Sequence, residues 1–215
     1  MNYNKNHIPI SKTKRTGKIT NKESITIHST ANPKSTAKNE RNWLTNPSNN
    51  RKASYHIVVD DKEIIEVIPL NEQAYHSGSS KGNNESIGIE ICESGNREKT
   101  IQNTVELVGK MLYERNWGVD KLVRHFDWSG KNCPNIMSAN NWADWYKFKD
   151  RVQKELDKLS KPEEKVVQTI SSWAKDGEKF ILEHGISDGT RPKNLVTREE
   201  VWTMLERMYK LQGGK

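Results

Sequence analysis

The stretch Leu122-Val123-Arg124-His125-Phe126-Asp127-Trp128-Ser129-Gly130-Lys131-Asn132-Cys133-Pro134 organises the rest of the chain. It carries an imidazole at His125 and a thiol at Cys133, both good zinc donors, in a segment that contains Gly130 and closes on Pro134. Two donors do not complete a catalytic site, which takes three protein ligands and leaves a fourth position for water. The best third candidate is His28, at the end of Glu23-Ser24-Ile25-Thr26-Ile27-His28. That segment alternates with period 2: Ile25 and Ile27 share one face of a strand, Thr26 and His28 the other. The candidate metal set is therefore His28, His125 and Cys133, holding one Zn2+ per chain.

Outward from this set, Ser86 to Cys92 is a second strand pattern, with Ile87, Ile89 and Ile91 on one face and Gly88 and Glu90 on the other. A carboxylate in so apolar a strand either meets solvent at an edge or works in a cleft, and Gly88 leaves room for something to approach. Residues 53–59 and 63–68 read as a hairpin around Asp60-Asp61-Lys62. Residues 71–85 are polar and contain glycine, which reads as a surface loop carrying His76. Between residues 33 and 47 a helix with Trp43 and Leu44 is expected. Ile101, Val105, Val108 and Leu112 recur at helical spacing over residues 98–117, with Gly118 as a stop. A further helix is expected over residues 139–159, with Trp142, Trp145, Val152, Leu156 and Leu159 on one stripe.

The matching pieces Ile27-His28-Ser29-Thr30, Ala53-Ser54-Tyr55-His56, Ala74-Tyr75-His76-Ser77-Gly78, Ser86-Ile87-Gly88-Ile89-Glu90-Ile91-Cys92 and Arg124 through Pro134 follow one another in order over residues 20–160. In that order and spacing they resemble the zinc-dependent N-acetylmuramoyl-L-alanine amidases of the peptidoglycan-recognition and phage-lysozyme superfamily, endolysin type. The resemblance implies an α/β domain, a mixed central β-sheet flanked by helices with a zinc cleft along one side. It implies hydrolysis of the lactyl–L-alanine amide of peptidoglycan by zinc-activated water, with Glu90 as general base. Lys131 then stabilises the oxyanion, and Tyr55 matches a family tyrosine near the metal. His76 matches a family loop histidine and is the implied substrate contact, while Trp128 either lines the cleft as a second substrate contact or packs beneath it. Asp127 either hydrogen-bonds a ligand histidine or shapes the loop. His56 has no implied metal role.

The net charge of +7 invites a nucleic-acid reading, and its distribution argues against one. Lys5, Lys12, Lys14, Arg15, Lys18 and Lys22 fall within residues 1–22, which hold no acidic residue, whereas the remainder is almost neutral. This reads as a basic N-terminal arm, a solvated lead-in, on a catalytic domain of residues 23–160. No apolar run approaches the roughly 20 residues of a membrane span, so no membrane insertion is expected. The N-terminal residues lack the apolar core of a secretory signal. The expected route to the wall is therefore release through a phage pore or by lysis. Cys92, ending an apolar strand, reads as a small buried hydrophobe and not as a disulfide partner of Cys133.

Residues 161–215 form a small helical module beyond a boundary at Ser160-Lys161-Pro162-Glu163. Val166, Ile170, Trp173 and Phe180 mark one helix stripe, and Thr197-Arg198-Glu199-Glu200 is a capping-box signature for a last helix. The run from Gly185 to Glu200 resembles a single S-layer homology unit. That implies binding to a secondary cell-wall polymer, while a single short copy equally suits self-association. A host autolysin and a non-catalytic peptidoglycan-binding protein are the alternatives to an endolysin. Retention of the thiolate ligand Cys133 speaks against the non-catalytic one.

Overall fold

Alternation of β-branched residues with small or polar ones builds the sheet. The computed structural model describes residues 2–160, 170–190 and 192–213, in two units, Met1–Lys161 and Pro162–Lys215. In the first unit β1 (Tyr3–Lys5), β2 (Ser24–Ser29), β3 (Ile57–Val59), β4 (Ile64–Glu66), β5 (Ser86–Ile91) and β6 (Leu122–Arg124) lie in the order β1-β4-β3-β5-β2-β6. β3 and β4 run antiparallel and the other neighbours parallel, so the sheet is mixed, as expected.

The period of two sorts the side chains into two cores. Ile25, Ile27, Ile57, Val59, Ile87, Ile89 and Ile91 are fully buried on one face. They pack against Val105, Val108 and Leu112 of α3 (Arg97–Glu114) and Phe148 and Val152 of α5 (Ala139–Ser160). On the other face Val58 and Ile65 are covered by Ala37 and Leu44 of α1 (Ala37–Thr45), together with Ile8 and Trp43. Asp60 ties this layer together. Its Oδ1 accepts from the backbone N–H of Lys62 and Glu63 at 2.8 Å, closing the hairpin, and its Oδ2 accepts from Ala37 N–H at 2.9 Å at the start of α1. His28 and Glu90, register partners on β2 and β5, lie on this second face, where the groove takes over from the helix cover.

Three expectations need correction. Residues 1–22 are not a solvated arm: β1 pairs in parallel with β4, Ile8 is buried, and His7 and Arg15 bond Glu66 at 2.6 Å and Glu72 at 2.7 Å. Their charge count hid single apolar anchors and ion-pair partners supplied from far along the chain. Residues 71–85 are not all surface loop, since they include α2 (Ser80–Glu85) and the buried His76. Nor is Trp142 part of a regular helical stripe: Asn140, Asn141 and Trp142 are left-handed, with φ of 50°, 53° and 68°. Asparagine tolerates that region best among non-glycine residues, and the regular turns follow it. Trp145 lies buried in the stripe as expected.

In the second unit, residues 161–169, which include Val166 and the expected helix start, lie outside the described residues. The described part contains α6 (Lys175–Glu183) and α7 (Arg198–Leu211). The expected capping box is present: Glu200 N–H donates to Thr197 Oγ1 at 3.2 Å and Thr197 N–H to Glu200 Oε2 at 2.8 Å.

Candidate metal centre and groove

The chemistry-bearing residues sit at the carboxyl ends of parallel strands, the usual crevice of an open α/β sheet. His28 is the penultimate residue of β2 and Glu90 of β5, while His125 follows β6 directly and opens α4 (His125–Ser129). The segment after Arg124 is thus a short helix, ended at Gly130 with φ of 73°. Asp127 closes that turn by accepting from Arg124 N–H at 2.7 Å and pairing with its guanidinium at 2.5 Å. Of the two roles open to Asp127, shaping the loop is the observed one.

His28, His125 and Cys133 converge, with one ligand atom from each lying within 4.8 Å of the others. His28 Nδ1 is 3.0 Å from His125 Nδ1 and 3.7 Å from Cys133 Sγ. A chain of hydrogen bonds behind them fixes the tautomer of His28. His76 Nε2 faces the Ser86 carbonyl at 3.2 Å and must donate to it, which leaves His76 Nδ1 as an acceptor. His28 Nε2, 3.0 Å away, therefore carries the hydrogen and donates to His76. His28 Nδ1 is left bare and aimed at the cluster. Burial holds all three rings neutral: His28 lies well below its usual value, His76 at about 3 and His125 at about 4. His125 is itself hydrogen-bonded to the Ser77 carbonyl.

This donor set fits a soft divalent cation such as zinc. Two neutral imidazoles facing each other at 3.0 Å, beside a buried sulfur, form a concentration of lone pairs that a cation relieves. Burial, with the Glu90 charge adding to it, pushes the Cys133 thiol up to about 12. Thiolate formation there accordingly requires a cation at the sulfur.

His76, expected as a substrate contact, lines the groove and also buttresses His28, at 8% exposure. Gly88 makes the space. A Cβ at that position would lie 2.6 Å from His76 Cγ, so the close approach foreseen at Gly88 is that of an imidazole. Asn83 Oδ1 accepts from the backbone N–H of both His76 and Ser77 at 2.9 Å and pins the segment. Trp128, the other expected substrate contact, donates from Nε1 to Thr26 Oγ1 at 2.8 Å and is absent from the groove lining among the described residues. Its indole packs over Gly82 as structural support.

The groove around the cluster has a volume of about 870 Å³. Glu90 lines it, and Glu90 Oε2 is buried without a hydrogen-bond partner among the described residues. Burial pushes its carboxyl up to about 8; Glu40 and Glu93 reinforce the rise and Lys131 opposes it. Lys131 is exposed on the rim, and its charge also bears on His28, His125 and Cys133. Tyr55 lines the groove too, but its hydroxyl is engaged by Glu40, 2.9 Å from the backbone oxygen and 3.0 Å from Oε2, and not directed at the cluster. His56 has a structural task that composition could not reveal. Its Nε2 donates to the Glu72 carbonyl at 2.8 Å and its Nδ1 accepts from Gly88 N–H at 2.9 Å.

Residues 19–136 match the family model described as N-acetylmuramoyl-L-alanine amidase, Amidase_2. N-acetylmuramoyl-L-alanine amidase CwlA of Bacillus subtilis (strain 168) is 42% identical over 145 residues, which cover 64% of this chain and 51% of CwlA. XlyB of the same organism is 41% identical over 143 residues, covering 63% of this chain and 43% of XlyB. The chain spans about half the length of the curated relatives it matches. The solved catalytic domain of XlyA is similar with a TM-score of 0.65 and 35% identity, covering 71% of this chain and 99% of that domain. The structure of PlyL gives 0.63 and 34%, covering 71% and 98%.

Proposed function

Because the chain belongs to the N-acetylmuramoyl-L-alanine amidase family Amidase_2, we propose that it hydrolyses the amide between N-acetylmuramic acid and L-alanine in peptidoglycan as a zinc-dependent endolysin. One observation carries this reading: neutral His28 and His125 converge with Cys133 in one groove with Glu90, whose Oε2 is unpartnered among the described residues. His28, His125 and Cys133 would hold the zinc ion. When bound, zinc supplies Lewis-acid activation of water and of the scissile carbonyl.

The remaining work belongs to the chain. Glu90 takes a proton from the attacking water and returns it to the leaving nitrogen, so that a lactyl carboxylic acid and a new N-terminal alanine are released. A carboxylate whose pKa is held up by burial is the stronger base for taking the water proton, and nearby positive charge loosens its hold on that proton for the returning half of the cycle. The Lys131 cation faces the negative charge that develops on the carbonyl oxygen. Tyr55, with its hydroxyl tied to Glu40, shapes the groove wall beside Glu90.

A lytic role after release through a phage pore is favoured over that of a host autolysin by the endolysin named among similar structures, a mutant endolysin from Bacillus subtilis at 36% identity. Residues 161–215 are read as an accessory that binds a secondary wall polymer or self-associates, supported by the apolar groove of the second unit. Mass analysis of digested wall tests the activity. Free lactyl termini with new N-terminal alanine are expected, and cleavage of any other bond would overturn the reading. Metal analysis should find about one zinc per chain, and full retention of zinc by a His28→Ala, Cys133→Ala double variant would reject the ligand set.

A further inference from the structure

The groove wall beyond the metal donors carries a charge that amide hydrolysis leaves unused. Its lining includes Trp43, Arg51, Lys52 and Tyr75. Arg51 and Lys52 are consecutive and exposed, and among the described residues neither forms an ion pair with a carboxylate. Lys52 Nζ lies 4.5 Å from the centre of the Tyr75 ring, which holds the ammonium against the wall.

This part of the wall is braced by the N-terminal segment. Lys14, only 3% exposed, donates from Nζ to the Arg51 backbone carbonyl and lies 4.7 Å from the centre of the Trp43 ring. Arg15 anchors the same turn with two hydrogen bonds to the Glu72 carboxylate, at 2.7 and 2.8 Å. Residues 1–18 precede the matched family model, so the brace lies outside it.

We propose that Arg51 and Lys52 form a carboxylate-binding subsite for the peptide half of the substrate, with Lys14 as a positioning residue. The proposal rests on the amidase reading of the same groove. The ligand follows from the charge of that substrate. On the glycan side of the scissile bond the lactyl carboxyl is consumed in the amide, whereas the stem peptide beyond its first alanine carries free carboxylates. The planar guanidinium of Arg51 can take such a group through two parallel hydrogen bonds, and Lys52 adds a point charge.

The test uses the whole chain of 215 residues, zinc-loaded, and a free stem tripeptide, alanyl-γ-glutamyl-diaminopimelate, which lacks the scissile bond. Each carboxylate of the tripeptide is replaced in turn by a carboxamide, and calorimetric Kd values are compared. One replacement should weaken binding on the order of tenfold, which identifies the carboxylate that is read. That difference should shrink in high salt and fall to near unity in the Arg51→Gln, Lys52→Gln variant. Lys14→Met keeps the aliphatic contact with Trp43 but removes the ammonium. It should narrow the acid-over-amide ratio, whereas a purely structural lysine would lower the melting temperature and leave the ratio unchanged. Equal Kd values for every peptide with the wild type, or a difference that survives in the double variant, would overturn the subsite. Cleavage of muramoyl peptides by the same preparations judges the amidase reading separately: selective binding without cleavage would sink that reading and keep the subsite.

Discussion

The two units spend their apolar residues in opposite ways. In the first, the sheet isoleucines are fully buried between helices. In the second, Trp173 is 87% and Leu195 98% exposed, α6 and α7 contain no buried residue, and Ile186 is the one buried hydrophobic among the described residues. A segment this short has little volume in which to enclose a core. The difference teaches that the first unit encloses an apolar core beneath its site, while the second leaves most of its large apolar side chains exposed among the described residues. Its helices enclose a groove of about 740 Å³ lined by Trp173, Leu195, Val201 and Met204.

The comparison breaks first if chemistry depends on more than the first unit. Glu90→Gln should lower turnover by about 10²–10⁴-fold while zinc content and melting temperature stay near wild type. Near-normal turnover would remove Glu90 from the proton path, and lost zinc would make it a support of the metal. Core truncation gives the next largest effect. Ile89→Ala should destabilise the first unit by about 2–5 kcal/mol in urea melts.

Acid tests the same unit through its buried histidines. His56 and His76 are depressed by burial, His76 to about 3, so below the unfolded value near 6.5 the unfolded chain binds protons that the folded chain refuses. The contribution of these rings is then complete above roughly pH 6.5 and falls as the pH is lowered, by at most about 1.4 kcal/mol per pH unit for each ring, whereas Glu90, raised to about 8, contributes in the opposite sense. Urea melts of the metal-free Glu90→Gln variant at several pH values isolate the sign for the rings, and stability that rises on acidification would contradict it. The smallest effect belongs to the second unit. Leu205→Ala, at a position 57% exposed, should change stability by no more than about 0.5 kcal/mol in the isolated chain. A larger loss would show that this face is covered in solution.

Much of the site was legible because its donors sit in strongly patterned strands. His28 and Glu90 oppose isoleucines at period 2, and Cys133 follows His125 in one short segment. What escaped is long-range. No local pattern says that His76 turns inward onto Gly88, because the signal lies in the missing side chain of a residue twelve positions later. The burial of Lys14 was equally hidden, since its partners Arg51 and Trp43 come from distant segments while its neighbours read as a charge run. Asn140-Asn141 did carry a signal for the left-handed turn, obscured by the tryptophan periodicity around it.

The parallel pairing of β2 with β5 and β6 also bears on how the protein comes into being. His28 stands in register with Glu90, and Ile27 with Arg124, so the candidate metal donors meet only across long stretches of intervening chain. Such high contact order makes assembly of the centre a late event, paid for by closing those loops before any donor gains its neighbours. A nascent chain that has not yet emerged past Cys133 lacks the complete candidate set, whatever secondary structure it has gained. On the proposed reading, hydrolytic competence therefore requires the finished fold.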